Sequence, residues 1–139
     1  MPELLAGPIP VERLLAEAAR PECGAVVLFL GTTRDRHEGR RVTRLHYEAY
    51  RPMALEALGR IERETGERFA VASCRIVHRL GEVPPAEASV AVVVAAPHRD
   101  AAFEASRWAM DEVKRAAPIW KKELYDDGSG GWVEGAELK

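Results

Sequence analysis

The sequence predicts a single α+β domain, residues 1–139, in which helices pack on a mixed, largely antiparallel sheet. Three observations lead there. The chain has 139 residues, the size of one ordinary domain. Hydrophobic residues make up 47% and charged residues 30%, a globular balance rather than a disordered one. Stretches of helical and strand character follow one another as α-β-β-α-β-β-α-β-β, with no repeat and no linker long enough to divide them.

The elements follow from local signals. Pro8 and Pro10 precede an apolar-periodic run over 11–19, and Pro21 closes it, so a helix is expected there. Residues 24–31 (GAVVLFLG) form a short apolar run between glycines, the mark of a buried strand. Residues 32–40 are polar and charged and read as a loop. Residues 41–50 alternate loosely and read as a second strand. Pro52 opens a helix with Leu55, Leu58 and Ile61 on one face, and Gly66 is expected to end it. A strand is predicted over 69–80 and a turn over 81–86, with Pro84-Pro85 in it. Residues 88–96 (ASVAVVVAA) are the clearest strand, and Pro97 breaks it. A long helix is expected over 100–116, with Phe103, Ser106, Met110, Val113 and Ala117 on one side, stopped by Pro118. Residues 119–134, with two Trp and glycines in 128–131, predict a terminal hairpin.

Composition narrows the function classes. The net charge is -2 and the predicted pI about 6.1, which disfavours a general nucleic-acid binder. The aromatics are few and form no stacking platform for RNA. No apolar run approaches the roughly 18–20 residues of a membrane helix, and Met1-Pro2-Glu3 lacks the basic start of a signal peptide. A cytoplasmic protein is expected. Cys23 and Cys74 have no C-x-x-C spacing, so neither a zinc site nor a disulfide framework is expected. His37, His46 and His78 have no metal-ligand spacing and read as structural or surface groups.

Chemistry is expected where cations gather. The chain holds 16 Arg but only four Lys, and Lys114, Lys121 and Lys122 fall within nine residues. Arg does not release its proton, whereas Lys can be tuned for proton transfer or carbonyl chemistry. A solvated basic face at a helix C-terminus is the plainer alternative. Pro97-His98-Arg99-Asp100 sits where the clearest strand meets the longest helix. Free backbone N–H groups, the Arg99 fork and His98 together suit an anion, although Asp100 acting only as a helix cap explains the same residues. Gly31-Thr32-Thr33-Arg34 leaves a strand end as an oxyanion-type loop or an ordinary polar turn. No phosphate-loop, dinucleotide, zinc-protease or serine-hydrolase motif occurs. The picture is a site for a compact anionic substrate.

Taken together, FLGTTRD, VTRLHYEAYRPMA, HRLGEVPP, PHRDAAFEA, DEVKRAAPIWKKE and GWVEG resemble the large, catalytic subunit of molybdopterin synthase. The resemblance runs over about residues 24–135. It implies an α/β hammerhead fold and sulfur transfer to a cyclic pyranopterin monophosphate (precursor Z) in molybdenum cofactor biosynthesis. It implies a small ubiquitin-like partner whose C-terminal thiocarboxylate supplies the sulfur, a homodimer with one small subunit on each half, and no metal or other cofactor. It places Thr32, Thr33 and Arg34 on a substrate-binding loop and His98 and Arg99 against substrate. Lys114 falls beside the incoming tail, and Lys121, Lys122 and Glu123 on a second basic element. Lys114 and Lys121 are the expected catalytic pair. One departure is Pro85-Ala86-Glu87, where the family usually has Gly-Glu after the turn proline. It lies far in sequence from the expected site. A non-catalytic module that binds a phosphorylated pterin, a nucleotide or a ubiquitin-like tail fits the composition equally well. The retained lysines argue against it, because docking alone could use Arg.

Overall fold

A computed structural model describes residues 1–133. Glu134, at the end of the predicted hairpin, Gly135 of the GWVEG segment and Lys139 lie outside the described residues. Three helices are described, α1 (Val11–Ala18), α2 (Arg51–Arg68) and α3 (Arg99–Ala116). The first sheet has the order β1 (Glu3–Leu5), β5 (Ser73–Arg79), β7 (Ala88–Ala96), β2 (Ala25–Thr32). Only β1 and β5 run parallel; β5–β7 and β7–β2 are antiparallel. In the second sheet β4 (Arg40–Ala49) pairs with β3 (Arg36–His37), β6 (Gly81–Val83) and β8 (Ile119–Tyr125), and β8 pairs with β9 (Gly130–Val133), all antiparallel. The α+β class expected from the sequence is the one observed.

Strand β7 explains why residues 88–96 read as one apolar run. It lies inside the sheet and is buried on both faces. Val90, Val92, Val94 and Ala96 join the main core with Leu58 and Ile61 of α2 and Ala105, Ala109 and Val113 of α3. Ala91, Val93 and Ala95 point the other way, against Leu14 and Ala18 of α1. Two-sided burial removes the polar half of the usual alternation. Alanines on α3 let that helix lie close to the sheet.

Several boundaries differ from expectation. Helix α2 continues through Gly66 to Arg68. Ala54, Leu58, Ile61 and Thr65 bury one face of it, which outweighs the roughly 1 kcal/mol cost of a helical glycine. Phe69 then ends it, donating its N–H to Thr65 O at 3.1 Å and leaning on Trp108 with 6.1 Å between ring centroids. The expected strand over 69–80 starts only at Ser73. The predicted loop over 32–40 contains β3, and the predicted turn over 81–86 contains β6. Strand β1 was not expected. Its Glu3 binds Arg13 and Arg75, and Arg75 also reaches Glu17, so charge pairs fasten it to β5 and α1. Leu55 and Phe103 were expected on buried faces, but both are exposed, Phe103 by 62%. The buried stripe of α3 centres on Ala102, Ser106, Ala109 and Val113, and Phe103 falls at its margin.

Candidate active site

A cavity of about 400 Å³ opens where the end of β2 meets α3 and the second sheet. Strand β2 delivers the first side chains. Its pairing with β7 shifts register between Gly31 and Thr32, and such a bulge re-aims the residues after it. Gly31 is needed there, because a Cβ would lie 2.6 Å from Val90 Cγ1. Thr32 and Arg34 line the cavity beyond the bulge, together with Arg36. Helix α3 contributes Lys114 and Met110 from one face of its last two turns.

The second sheet supplies the opposite wall. Tyr47 of β4 stands directly across from Lys121 of β8, and Leu45 from Glu123. Opposed residues share a face of a sheet, so all four side chains point the same way, into the cavity. Tyr47 donates to Ser89 Oγ at 3.3 Å, and Ser89 donates to Gly31 O at 3.2 Å. Burial pushes the Tyr47 phenol above its ordinary pKa, only partly offset by the Ser89 contact. It is therefore a neutral hydroxyl at neutral pH. Glu123, 5% exposed, accepts from the Tyr125 hydroxyl at 2.7 Å and meets His37 Nδ1 at 2.5 Å. The cavity thus holds two guanidinium groups, two amines and one anchored carboxylate around a small volume. It can bind a compact anion, and its amines can stabilise developing negative charge.

Of the expected site residues, Thr32, Arg34, Lys114, Lys121 and Glu123 are brought together here. Thr33 is buried, with its N–H on Glu87 O and its carbonyl accepting from Ala86 N. It fixes the loop from behind and is not among the residues lining the cavity. Lys122 lies across from His46 and Trp132, on the other face of β8.

His98 and Arg99 occupy a different cavity, of about 440 Å³, with Gly24, Pro97 and Asp100. His98 is the residue before the first turn of α3, in an extended conformation, and no side chain caps that helix. The first N–H groups of the turn have no partner within the helix, and a helix start with Arg99 beside it suits an anion. The two cavities stand at opposite ends of β2, since Ala25 pairs with Ala96 while Thr32 pairs with Ala88. Eight residues of strand span roughly 25 Å. One copy of the chain does not bring His98 and Arg99 to Arg34 and the lysines.

Sequence reasoning missed Phe29, Arg36, Tyr47, Ser89 and Met110, which also line the first cavity. Tyr47 lies within the predicted strand over 41–50, and its place at the cavity depends on the β4–β8 register. Among the described residues no three His, Cys, Asp or Glu side chains converge as metal ligands.

Comparison with known proteins fits this geometry to a family. Residues 4–116 match the family model described as MoaE protein. The chain belongs to the MoaE family. MoaE relatives include the molybdopterin synthase catalytic subunit of Culex quinquefasciatus, 49% identical over 86% of this chain and 78% of that protein. The catalytic subunit of Bacillus subtilis is 42% identical over 94% of this chain and 83% of its own length. Among solved structures, the molybdopterin synthase of Staphylococcus aureus superposes with a TM-score of 0.90 at 34% identity, covering 95% of this chain and 96% of that one. A chain from the complex of subunits 1 and 2 of the molybdopterin-converting factor of Helicobacter pylori shares the MoaE fold, with a TM-score of 0.79 at 21% identity over 96% of this chain and 90% of that one.

Proposed function

We propose that this chain is the catalytic subunit of a molybdopterin synthase, transferring sulfur to a cyclic pyranopterin monophosphate. The observation that carries the reading is the single cavity in which Arg34, Arg36, Lys114 and Lys121 converge, in a chain whose relatives are catalytic subunits of that name. Arginines grip the substrate's phosphate. The lysines attract a thiocarboxylate at the end of a small ubiquitin-like partner. Its sulfur attacks a side-chain carbon of the pterin and the carbon–oxygen bond there breaks. Lys114 and Lys121 balance the charge on the departing oxygen and carry its proton, and a second tail repeats the step at the neighbouring carbon to complete the dithiolene. Hydrolysis of the thioester link then releases the partner as a carboxylate and leaves sulfur on the pterin. The sulfur comes from the partner, so no cofactor and no reactive cysteine of this chain takes part. The Helicobacter pylori chain of the same fold belongs to a two-subunit complex, in keeping with such a partner.

The reading includes a homodimer. Strand β2 is the open edge of its sheet, and Val26, Phe29 and Phe103 are exposed along it. A second copy lying antiparallel across this edge about a two-fold axis would set its His98 and Arg99 beside the first copy's Arg34 and lysines. The phosphate would then be held by both chains. No helix is long and apolar enough to cross a membrane, and the two cysteines are unpaired, which suits the reducing cytoplasm.

The deciding experiment mixes the chain with thiocarboxylated small subunit and cyclic pyranopterin monophosphate. Dithiolene product is expected, and Lys114→Ala should lower its rate at least roughly 100-fold. Tight binding without product would make the chain a docking module. Undiminished product from Lys114→Ala would remove that lysine from the mechanism.

A further inference from the structure

The HRLGEVPPAE stretch, residues 78–87, lines none of the cavity, yet it holds a buried cation. Arg79, at the end of β5, is 8% exposed. Among the described residues it pairs with one carboxylate, Nη1 donating to Glu87 Oε1 at 2.8 Å. A buried guanidinium needs such a partner, so the first sheet holds Glu87 at its side-chain end. The backbone of Glu87 in turn holds the loop that carries Arg34. Glu87 O accepts from Thr33 N at 3.0 Å, and Ala86 N donates to Thr33 O at 2.8 Å. Glu87 N donates to Pro84 O at 3.2 Å and closes the turn. On the other side of Arg34, Asp35 O accepts from Val42 N at 2.8 Å. The backbone is thus gripped on both sides of Arg34. The Arg34 side chain lines the cavity, and among the described residues no side chain pairs with it. Its direction is therefore set by the backbone it leaves.

Resting on the function proposed above, we infer that Arg79 and Glu87 are positioning residues, which aim Arg34 at the substrate's phosphate from outside the cavity. The line of contact runs from the end of β5 through Arg79, Glu87 and Thr33 to Arg34, and every link is a hydrogen bond or the chain itself. Arg34 grips a phosphate with a planar fork of donors that needs a fixed approach. A displacement of about 1 Å at such a group is costly. Without the Glu87 carboxylate the turn loses its tie to Arg79, and the loop gains room to shift. The phosphate is held alike in the bound substrate and in the transition state, so the loss falls on binding rather than on turnover. An ion pair that served stability alone would lower the melting temperature and leave binding untouched wherever the protein is folded.

The test measures Kd for cyclic pyranopterin monophosphate by equilibrium dialysis, and KM and kcat with thiocarboxylated small subunit. Each variant is kept well below its own melting temperature. Glu87→Ala should raise Kd and KM roughly tenfold and change kcat by less than about twofold. Glu87→Gln keeps a neutral acceptor for Arg79 and should lose only about threefold in Kd. The same substitutions are then made in an Arg34→Ala background. There Glu87→Ala should weaken binding no further, because the group it aims is gone. If the alanine variant does not fold, Glu87→Gln carries the same comparison in its place. A wild-type Kd in the variant that carries the comparison, or an equal loss with and without Arg34, overturns the inference and leaves the sulfur-transfer reading standing. A wild-type chain that neither binds nor converts the pterin monophosphate overturns that reading, and this inference with it.

Discussion

Ala86 carries a backbone conformation that alanine resists. Its φ is 72°, in the left-handed region, where a Cβ costs roughly 1–2 kcal/mol. The residue keeps that conformation because its N–H donates to Thr33 O at 2.8 Å, while Thr33 donates back to Glu87 O at 3.0 Å. The turn is far from Arg34 in sequence but is hydrogen-bonded to Thr33, the residue beside it. Ala86→Gly relieves the strain but gives the unfolded chain more freedom. The expected net gain is up to about 1 kcal/mol, read as a higher denaturant midpoint at unchanged slope. The departure from glycine was legible in the residues; its closeness to the site was not, since a tertiary hydrogen-bond pair creates it. Cys74 offers a second test. Burial pushes its thiol up to about 12, while the unfolded thiol ionises near 8.5–9. Above that lower value the unfolded chain loses a proton that the folded chain keeps. Stability should therefore fall by up to about 1.4 kcal/mol per pH unit between the two values. Cys74→Ala should flatten this alkaline limb in pH-dependent melts.

Elements with their own punctuation were readable. Prolines and glycines bracketed α1, β2, β7 and α3, and each lies within a residue or two of its expected place. The short strands were not readable, because β1, β3 and β6 hold two or three residues each and exist only through distant partners. Helix α2 shows the reverse error. Gly66 looked like a stop, yet Thr65 is fully buried, with its hydroxyl on Ile61 O at 2.7 Å, and packing carries the helix onward. A Cβ at Gly66 meets nothing within 4 Å. Gly66→Ala should raise stability by about 0.5–1 kcal/mol, measured by urea unfolding. A loss instead would mean that this last turn is frayed in solution. The site divides along the same line. Arg34, Lys114 and Lys121 declared themselves by residue type and by family resemblance. Tyr47, Ser89 and His37 are ordinary residues until the β2–β7, β3–β4 and β4–β8 registers set Tyr47 against Ser89 and His37 against Glu123.

For the whole molecule, the separation of the two cation clusters is the decisive feature. If a second copy completes each site, damage to the two clusters must complement. Arg34→Ala and Arg99→Ala homodimers should each be nearly inactive. Unfolded together and refolded as a mixture, they should regain about a quarter of wild-type turnover, since half of the pairs carry one intact site out of two. If both residues served one chain alone, the mixture would stay dead. Strand β2, held against β7 along its length, acts as a rigid ruler that no loop movement can shorten. A solitary protomer would therefore possess two weak, unconnected anion docks and no means of gripping one molecule from both sides. Dilution should extinguish turnover while the circular dichroism spectrum stays unchanged.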